Sequence, residues 1–273
     1  MSTDAYVATG AGEHKGDVPF CATGENAGGR TGGPGAQKGT SPLCSPLCSE
    51  NTIALIPAFN EATSIAATVE AIKAIPGLAR VLVIDDGSTD NTAALAEQAG
   101  AQVLRLAKNS GKGAALQQGV ALLAEAHPSI VLLLDGDLGS SAREAQTLLH
   151  PVVDGLADMT VGILPKPPGS GGFGVVKDLA RGAIREWGGG YDAQAPLSGQ
   201  RALTWECLQA VLPFAEGYGV EVALTIRALQ QHYRVIEVAV DMQHRATGRD
   251  LAGFLHRARQ YLDVRRTIKR LAK

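Results

Sequence analysis

The chain has 273 residues, 45% of them hydrophobic, and sets 25 Lys and Arg against 27 Asp and Glu for a formal net charge of -2. That balance, with a pI of about 6.3, excludes a general nucleic-acid binder, which needs a dominant basic face. No stretch has the unbroken apolar length of a membrane span and the N-terminus carries no basic-then-apolar signal, so the expected location is the cytoplasm. Cys21, Cys44, Cys48 and Cys207 are too few and too scattered for a disulfide framework. Cys44 and Cys48 sit in a repeated Ser-Pro-Leu-Cys without a second Cys/His pair to complete a zinc site.

Residues 1–50 are rich in Gly, Ser, Thr and Ala and lack an apolar period. They read as a disordered leader, because they cannot bury enough surface to offset chain entropy. From Ile53 onward short apolar runs alternate with helical patterns, the signature of a parallel sheet with crossover helices. Ile53 to Pro57 is a first strand, and Glu61 to Ile75 a helix stopped by Pro76-Gly77. Val81 to Ile84 is a second strand, and a helix capped by Asp90 runs to Ala99. Gln102 to Leu106 is a third strand, Gly113 to Ala126 a helix, and Ile130 to Leu134 a fourth strand. A helix over 141–153 and a strand over 159–164 follow. Then come a Pro/Gly-rich loop from Pro165 to Gly172 and a second flexible stretch at Gly188-Gly189-Gly190, features typical of binding loops.

Asp135-Gly136-Asp137 ends the most apolar of these strands. Ligands of open α/β sheets bind at the carboxyl ends of such strands, and two hard oxygen donors on a turn suit Mg²⁺ or Mn²⁺. As a bare turn the tripeptide would also be unexceptional. The neighbouring strand ends carry Pro57-Ala58-Phe59-Asn60-Glu61 and Asp85-Asp86-Gly87-Ser88. Asp86 could accept a hydrogen bond from a base, and Asn60 and Ser88 could serve a ring or ribose. Gly111-Lys112-Gly113 opens the next helix, where free N–H groups and a lysine can meet an anion. It is not a P-loop, because Leu106 stands where glycine is required and Gly113 replaces the hydroxyl residue. Gly169-Ser170-Gly171-Gly172-Phe173-Gly174 fits Gly-x-Gly-x-x-Gly formally. Pro-rich sequence precedes it and no strand follows its helix, so it reads as a flexible acceptor loop rather than a dinucleotide site.

Taken together, Pro-Ala-Phe-Asn-Glu, the Asp85-to-Asp90 segment, Gly111-Lys112-Gly113 and Asp135-Gly136-Asp137 closely resemble family 2 glycosyltransferases of the GT-A fold. Pro196-Leu197-Ser198-Gly199-Gln200, Pro213-Phe214, Tyr218-Gly219-Val220-Glu221 and His244-Arg245 look like the glucosyl-3-phosphoglycerate synthase branch. The resemblance spans about residues 52 to 262. It implies a doubly wound, mostly parallel sheet with a C-terminal acceptor region: a nucleotide-sugar half over 51–164, an acceptor side over 165–247 and a basic helix over 248–273. It places Pro57, Ala58, Asn60, Glu61, Asp86, Ser88 and Lys112 around the donor, with Asp135 and Gly136 beside it. It makes Asp135 and Asp137 metal ligands, completed by His244, and Glu221 an acid at the sugar and acceptor. Gly171, Gly172, Ser198, Gly199 and Arg245 fall on the acceptor side. Gly199-Gln200-Arg201 replaces a more acidic stretch of the branch, and the Pro/Gly loop differs in sequence.

The implied activity moves a sugar from a nucleotide diphosphate sugar, UDP-glucose first, to a small phosphorylated acid such as 3-phosphoglycerate. Competing assignments are a membrane-peripheral polyprenyl-phosphate glycosyltransferase, a sugar-nucleotide nucleotidyltransferase and a noncatalytic nucleotide-sugar binder. The nucleotidyltransferase normally has a Gly-rich loop after its first strand, and Pro57-Ala58-Phe59-Asn60 is not one. The basic segment from Gly248 to Lys273 either packs its apolar stripe on the domain with its charges in water or docks on anionic lipid. A homodimer is compatible with the sequence.

Overall fold

A computed structural model describes residues 51–165, 174–243 and 251–271 together with the backbone of Tyr6 and Val7. In chain order the elements are β1 (Tyr6–Val7), β2 (Thr52–Ala58), α1 (Ile65–Lys73), β3 (Leu78–Asp85), α2 (Thr92–Gln98), β4 (Gln102–Arg105), α3 (Lys112–Leu123) and β5 (Ile130–Leu133). A 3-10 segment (Gly139–Ala145) leads into α4 (Gln146–Val153), followed by β6 (Met159–Ile163), α5 (Val175–Trp187), β7 (Arg201–Thr204) and α6 (Trp205–Ala210). A short 3-10 turn (Gly217–Gly219) precedes α7 (Val220–Gln230), then β8 (Val235–Ala239) and α8 (Leu251–Leu271).

One eight-stranded sheet runs in the order β1-β8-β6-β7-β5-β2-β3-β4. The β2–β3, β3–β4, β2–β5 and β6–β8 pairs are parallel; β7 is antiparallel to both β5 and β6, and β1 to β8. The sheet is therefore mostly parallel and wound in two directions from β2. Alternate residues of β2 serve opposite faces, as a pleated strand requires. Ala54 and Ile56 pack with α1, α2 and α4, whereas Ile53 and Leu55 pack with α3, α6 and α7. Every residue of β5 is buried, which is why its sequence is an unbroken apolar run. α5, α7 and α8 close a third cluster around Ala180, Ile184, Val222, Ile226 and Val264.

The sequence places β2 to β6 within a few residues, but β1, paired with β8, falls in the segment expected to be a disordered leader, and the helices are shorter than their apolar patterns. Glu61 starts a turn rather than α1, because its carbonyl accepts from the N–H groups of Ser64 and Ile65 at 3.0 and 2.9 Å. Asp90 lies one residue ahead of the N-cap Asn91 and not at the cap itself; its carboxylate accepts from Thr92 N at 3.0 Å in the turn that leads into the helix. The 141–153 helix is a 3-10 segment followed by α4. The Gly188–Gly190 stretch corrects the expectation of flexibility. Gly188 ends α5 by donating to Ile184 O at 2.7 Å, and a Cβ there would strike Leu229 of α7. Gly189 and Gly190 follow with φ of +67° and +87°, so Gly188 is the close-packed residue and the two after it turn the chain out of the helix.

The described end of α8 rests against the domain. Val264 and Thr267 are buried while Arg265, Arg266, Lys269 and Arg270 are exposed. A Cβ at Gly217 would meet Asp263, and one at Gly219 would meet Thr267. Val264, Ile268 and Leu271 pack with α5 and α7, Asp263 and Thr267 lie against the turn before α7, and Arg265, Arg266, Lys269 and Arg270 face outward together with the exposed Leu262.

Candidate active site

Pro57 is the first link between sequence and site. It has no N–H for the ladder, and it lies beyond the last β2–β5 register pair, Leu55↔Leu133. The strands part there, at the point where the winding of the sheet reverses, which is where open α/β sheets take ligands. Pro57, Leu134, Lys112, Gly199, Arg201 and Glu221 are among the residues lining a small cavity at this gap.

Three charged side chains meet at its edge. Lys112 Nζ donates to Asp135 Oδ1 at 2.7 Å and to Glu221 Oε1 at 2.8 Å, with the three side chains 30%, 25% and 10% exposed. Burial alone would lower the Lys112 pKa, but the carboxylates of Asp135 and Glu221 overcome it and hold the ammonium well above its ordinary range. Lys112 is a fixed cation and not a base. Gln200, fully buried, grips Asp135 twice: Nε2 donates to Asp135 Oδ2 at 2.7 Å and Oε1 accepts from Asp135 N at 3.1 Å. A Cβ on Gly199 would contact Lys112 Nζ and lie 3.0 Å from Asp135 Oδ2, so glycine is what lets this chain segment approach the charges.

The Asp135–Asp137 turn is pinned from behind. Thr68 Oγ1 donates to Gly136 O at 3.0 Å and accepts from Gly139 N at 2.8 Å. Gly136 is buried against Ala58, Ile65 and Glu61, while Asp135 and Asp137 are half-buried. Two hard carboxylate donors on a fixed turn fit a divalent ion such as Mg²⁺ or Mn²⁺, which keeps further positions for water and phosphate oxygens. Among the described residues no three His, Cys, Asp or Glu side chains converge to form a closed cage. His244, Arg245, Gly171 and Gly172 lie outside the described residues.

The expected donor-side polar groups hold one another. Asn60 takes φ +56°, donates from its backbone N to Ser88 Oγ at 2.9 Å and accepts from Thr89 N through Oδ1 at 2.9 Å. Glu61 N donates to Thr92 Oγ1 at 2.8 Å. Both oxygens of Asp86 are occupied, accepting from Ser110 N at 2.8 Å and Gly111 N at 2.7 Å, so Asp86 fixes the loop that launches Lys112. Asp85 is a turn stabiliser: Oδ1 accepts from Ser88 N at 3.1 Å. Its Oδ2 faces Arg105 Nε at 3.2 Å as a charge contact without hydrogen-bond alignment. Gly113, where a P-loop has a hydroxyl, leaves room for Ala215 O.

Sequence reasoning missed Gln200, Arg201 and Glu237. Arg201 is fully buried, and burial lowers its pKa to about 10 despite the opposing pull of Glu221 and Glu237, which leaves it a cation at neutral pH. Glu237 is buried on β8 and accepts from Gln194 N and Ala195 N at 2.8 and 2.7 Å. The available signal was local: Glu237 sits inside the apolar run Val235–Ala239 and Arg201 heads Ala202-Leu203, positions where a charge is costly unless paired.

The fold and the edge constellation define a doubly wound α/β domain with an acidic, lysine-bridged ligand cleft at the switch point of its sheet. The family description "Glycosyl transferase family 2" matches residues 53–201, and the chain belongs to that family. It is 32% identical over 204 residues to glycosyltransferase AglJ of Haloferax volcanii, covering 72% of this chain and 64% of that one. It is 27% identical over 213 residues to polyprenol monophosphomannose synthase of Mycolicibacterium smegmatis, covering 73% and 80%. The crystal structure of glucosyl-3-phosphoglycerate synthase from Mycobacterium tuberculosis with Mn²⁺, UDP and glucosyl-3-phosphoglycerate matches with a TM-score of 0.66 and 27% identity, covering 81% of this chain and 79% of that one. The chain thus spans less than two thirds of the AglJ sequence and about four fifths of the other two.

Proposed function

We propose that this chain is a metal-dependent glycosyltransferase that moves a sugar from a nucleotide diphosphate sugar, UDP-glucose first, to a small phosphorylated acid of the 3-phosphoglycerate type. The observation that carries the reading is the Lys112 bridge between Asp135, at the end of a donor-side strand, and Glu221, on the helix of the acceptor side. In such a transfer an acceptor hydroxyl oxygen bonds to the anomeric carbon as the bond to the diphosphate oxygen breaks, and negative charge grows on the leaving group. Lys112 supplies a fixed positive charge there. Glu221 would accept the acceptor proton or orient its hydroxyl. Asp135 and Asp137, with His244, would hold Mg²⁺ or Mn²⁺, whose role is to offset diphosphate charge. Asn60, Glu61, Ser88 and Asp86 shape the nucleoside side, and Ser198 and Gly199 the acceptor side. The synthase crystallised with Mn²⁺, UDP and its product supports the metal, the nucleotide and the acceptor class.

A second reading, a polyprenyl-phosphate acceptor at a membrane surface, is favoured by the likeness to polyprenol monophosphomannose synthase and by the outward face of Arg265, Arg266, Lys269 and Arg270. No helix among the described residues is long and apolar enough to cross a membrane. Titration of UDP, GDP and their sugars with Mn²⁺ and then with EDTA tests the donor; metal-dependent binding of one nucleotide is expected, and none would defeat the proposal. Turnover with 3-phosphoglycerate against polyprenyl phosphate in anionic vesicles separates the two acceptors.

A further inference from the structure

Two buried charges, Arg201 and Glu237, are left unused by the transfer chemistry. Arg201 serves two chain segments at once. Its Nε donates to Ser198 O at 3.0 Å, Nη2 to Glu221 O at 3.0 Å and Nη1 to Thr225 Oγ1 at 2.9 Å. Thr225 Oγ1 in turn donates to the same Glu221 carbonyl at 3.0 Å. Glu237, from β8, holds the N–H groups of Gln194 and Ala195. Residues 194–198 are therefore fastened at both ends to ionised side chains inside the sheet. The cation that fastens Ser198 also fastens the first turn of α7, from which Glu221 reaches Lys112.

An aliphatic side chain would fill the Arg201 volume without the cost of desolvating a guanidinium. A planar fork with five donors can hold three acceptors across two segments, and a lysine cannot. We propose that Arg201 is a positioning residue for transfer, setting the Ser198–Gly199 turn against Glu221 so that the two walls of the acceptor cleft move as one unit. The proposal rests on the reading of Glu221, Ser198 and Gly199 as acceptor-side groups.

The test combines hydrogen exchange with steady-state kinetics on the full chain carrying Arg201→Lys, Glu237→Gln or Thr225→Val. Arg201→Lys is expected to speed amide exchange in residues 194–200 and 219–224 together, with β2 and β5 unchanged. It is also expected to lower kcat over the acceptor KM about 10- to 100-fold, while the donor Kd moves less than about twofold. Thr225→Val removes an acceptor of Arg201 and should loosen both segments more mildly, whereas Glu237→Gln, which does not touch Arg201, should loosen only residues 194–196; these variants carry the test if Arg201→Lys does not fold. Faster exchange in one segment alone under Arg201→Lys or Thr225→Val, or equal loss of donor and acceptor affinity under Arg201→Lys, would overturn the coupling. A wild-type chain that transfers no sugar would defeat the functional reading, and the exchange results would then decide the coupling by themselves.

Discussion

The loops at the ends of β2 and β3 and ahead of α3 are fastened to one another by side chains that cap backbone groups at short range. Asn60 meets Ser88 and Thr89, Thr92 meets Glu61, and Asp86 holds Ser110 and Gly111. The segment from Gln194 to Glu221 is held differently, by Arg201 and Glu237, two charges buried in the sheet. The proposed donor side has many modest contacts, so losing one leaves the rest. The proposed acceptor side has few contacts of high consequence, because an unpaired buried charge costs far more than a lost surface bond. Asp135, Lys112 and Glu221 form the seam between them.

The largest effect is expected at that seam. Asp137→Ala should reduce turnover about 100-fold or more, the scale of losing a charge-stabilising group, with an unchanged melting temperature; wild-type rates with Mn²⁺ would remove Asp137 from the site. Glu221→Gln should reduce transfer about 10- to 100-fold with donor affinity kept in calorimetry. Loss of donor binding instead would place Glu221 on the donor side and erase the contrast. Gly199→Ala drives a methyl into Lys112 and Asp135; it should cut kcat over KM about tenfold with little change in melting temperature.

On the donor side, Asp86→Asn loses one of two charge-assisted acceptors, and its cost should be about 1–2 kcal/mol in denaturant unfolding, with a raised donor KM and a near-normal kcat. A collapse of kcat would show that this side lacks the redundancy described. The smallest effect concerns pH. Arg234 donates to the Asp158 carboxylate and holds its pKa below the usual range, so the stability it contributes is complete above the unfolded carboxylate pKa and lost as pH falls through the lower folded value. Lys112 is shifted upward, so its contribution is complete below 10.5 and lost only as pH rises through its folded value. Asp158→Asn should therefore flatten the acid limb of a melting-temperature profile and leave the alkaline limb alone.

What was legible followed from burial pattern. β2, β5 and the second half of β3 are buried on both faces and are written as contiguous apolar runs, and the turns after them show their polar residues in order. The Gly188–Gly190 triplet has a composition shared by loose linkers and tight helix stops, and only the neighbouring Leu229 separates the two. β7 has four residues and begins with a buried arginine, so neither length nor alternation marks it. α7 is buried through most of its circumference, which blurs the period that identifies a surface helix.

The sequence by itself determined the family, the winding of the first half of the sheet, the strand-end positions of Asp135 and Asp137 and the helix-start position of Lys112, because each is a local consequence of short-range pattern. Only the tertiary structure decided that Asp86 and Asn60 brace loops, that Gln200 clamps Asp135 and that Arg201 ties Ser198 to Glu221. Those partners are separated by as many as 65 residues, as for Asp135 and Gln200. Whether a polar side chain meets a ligand or a distant backbone group depends on which segments the fold brings within hydrogen-bond reach.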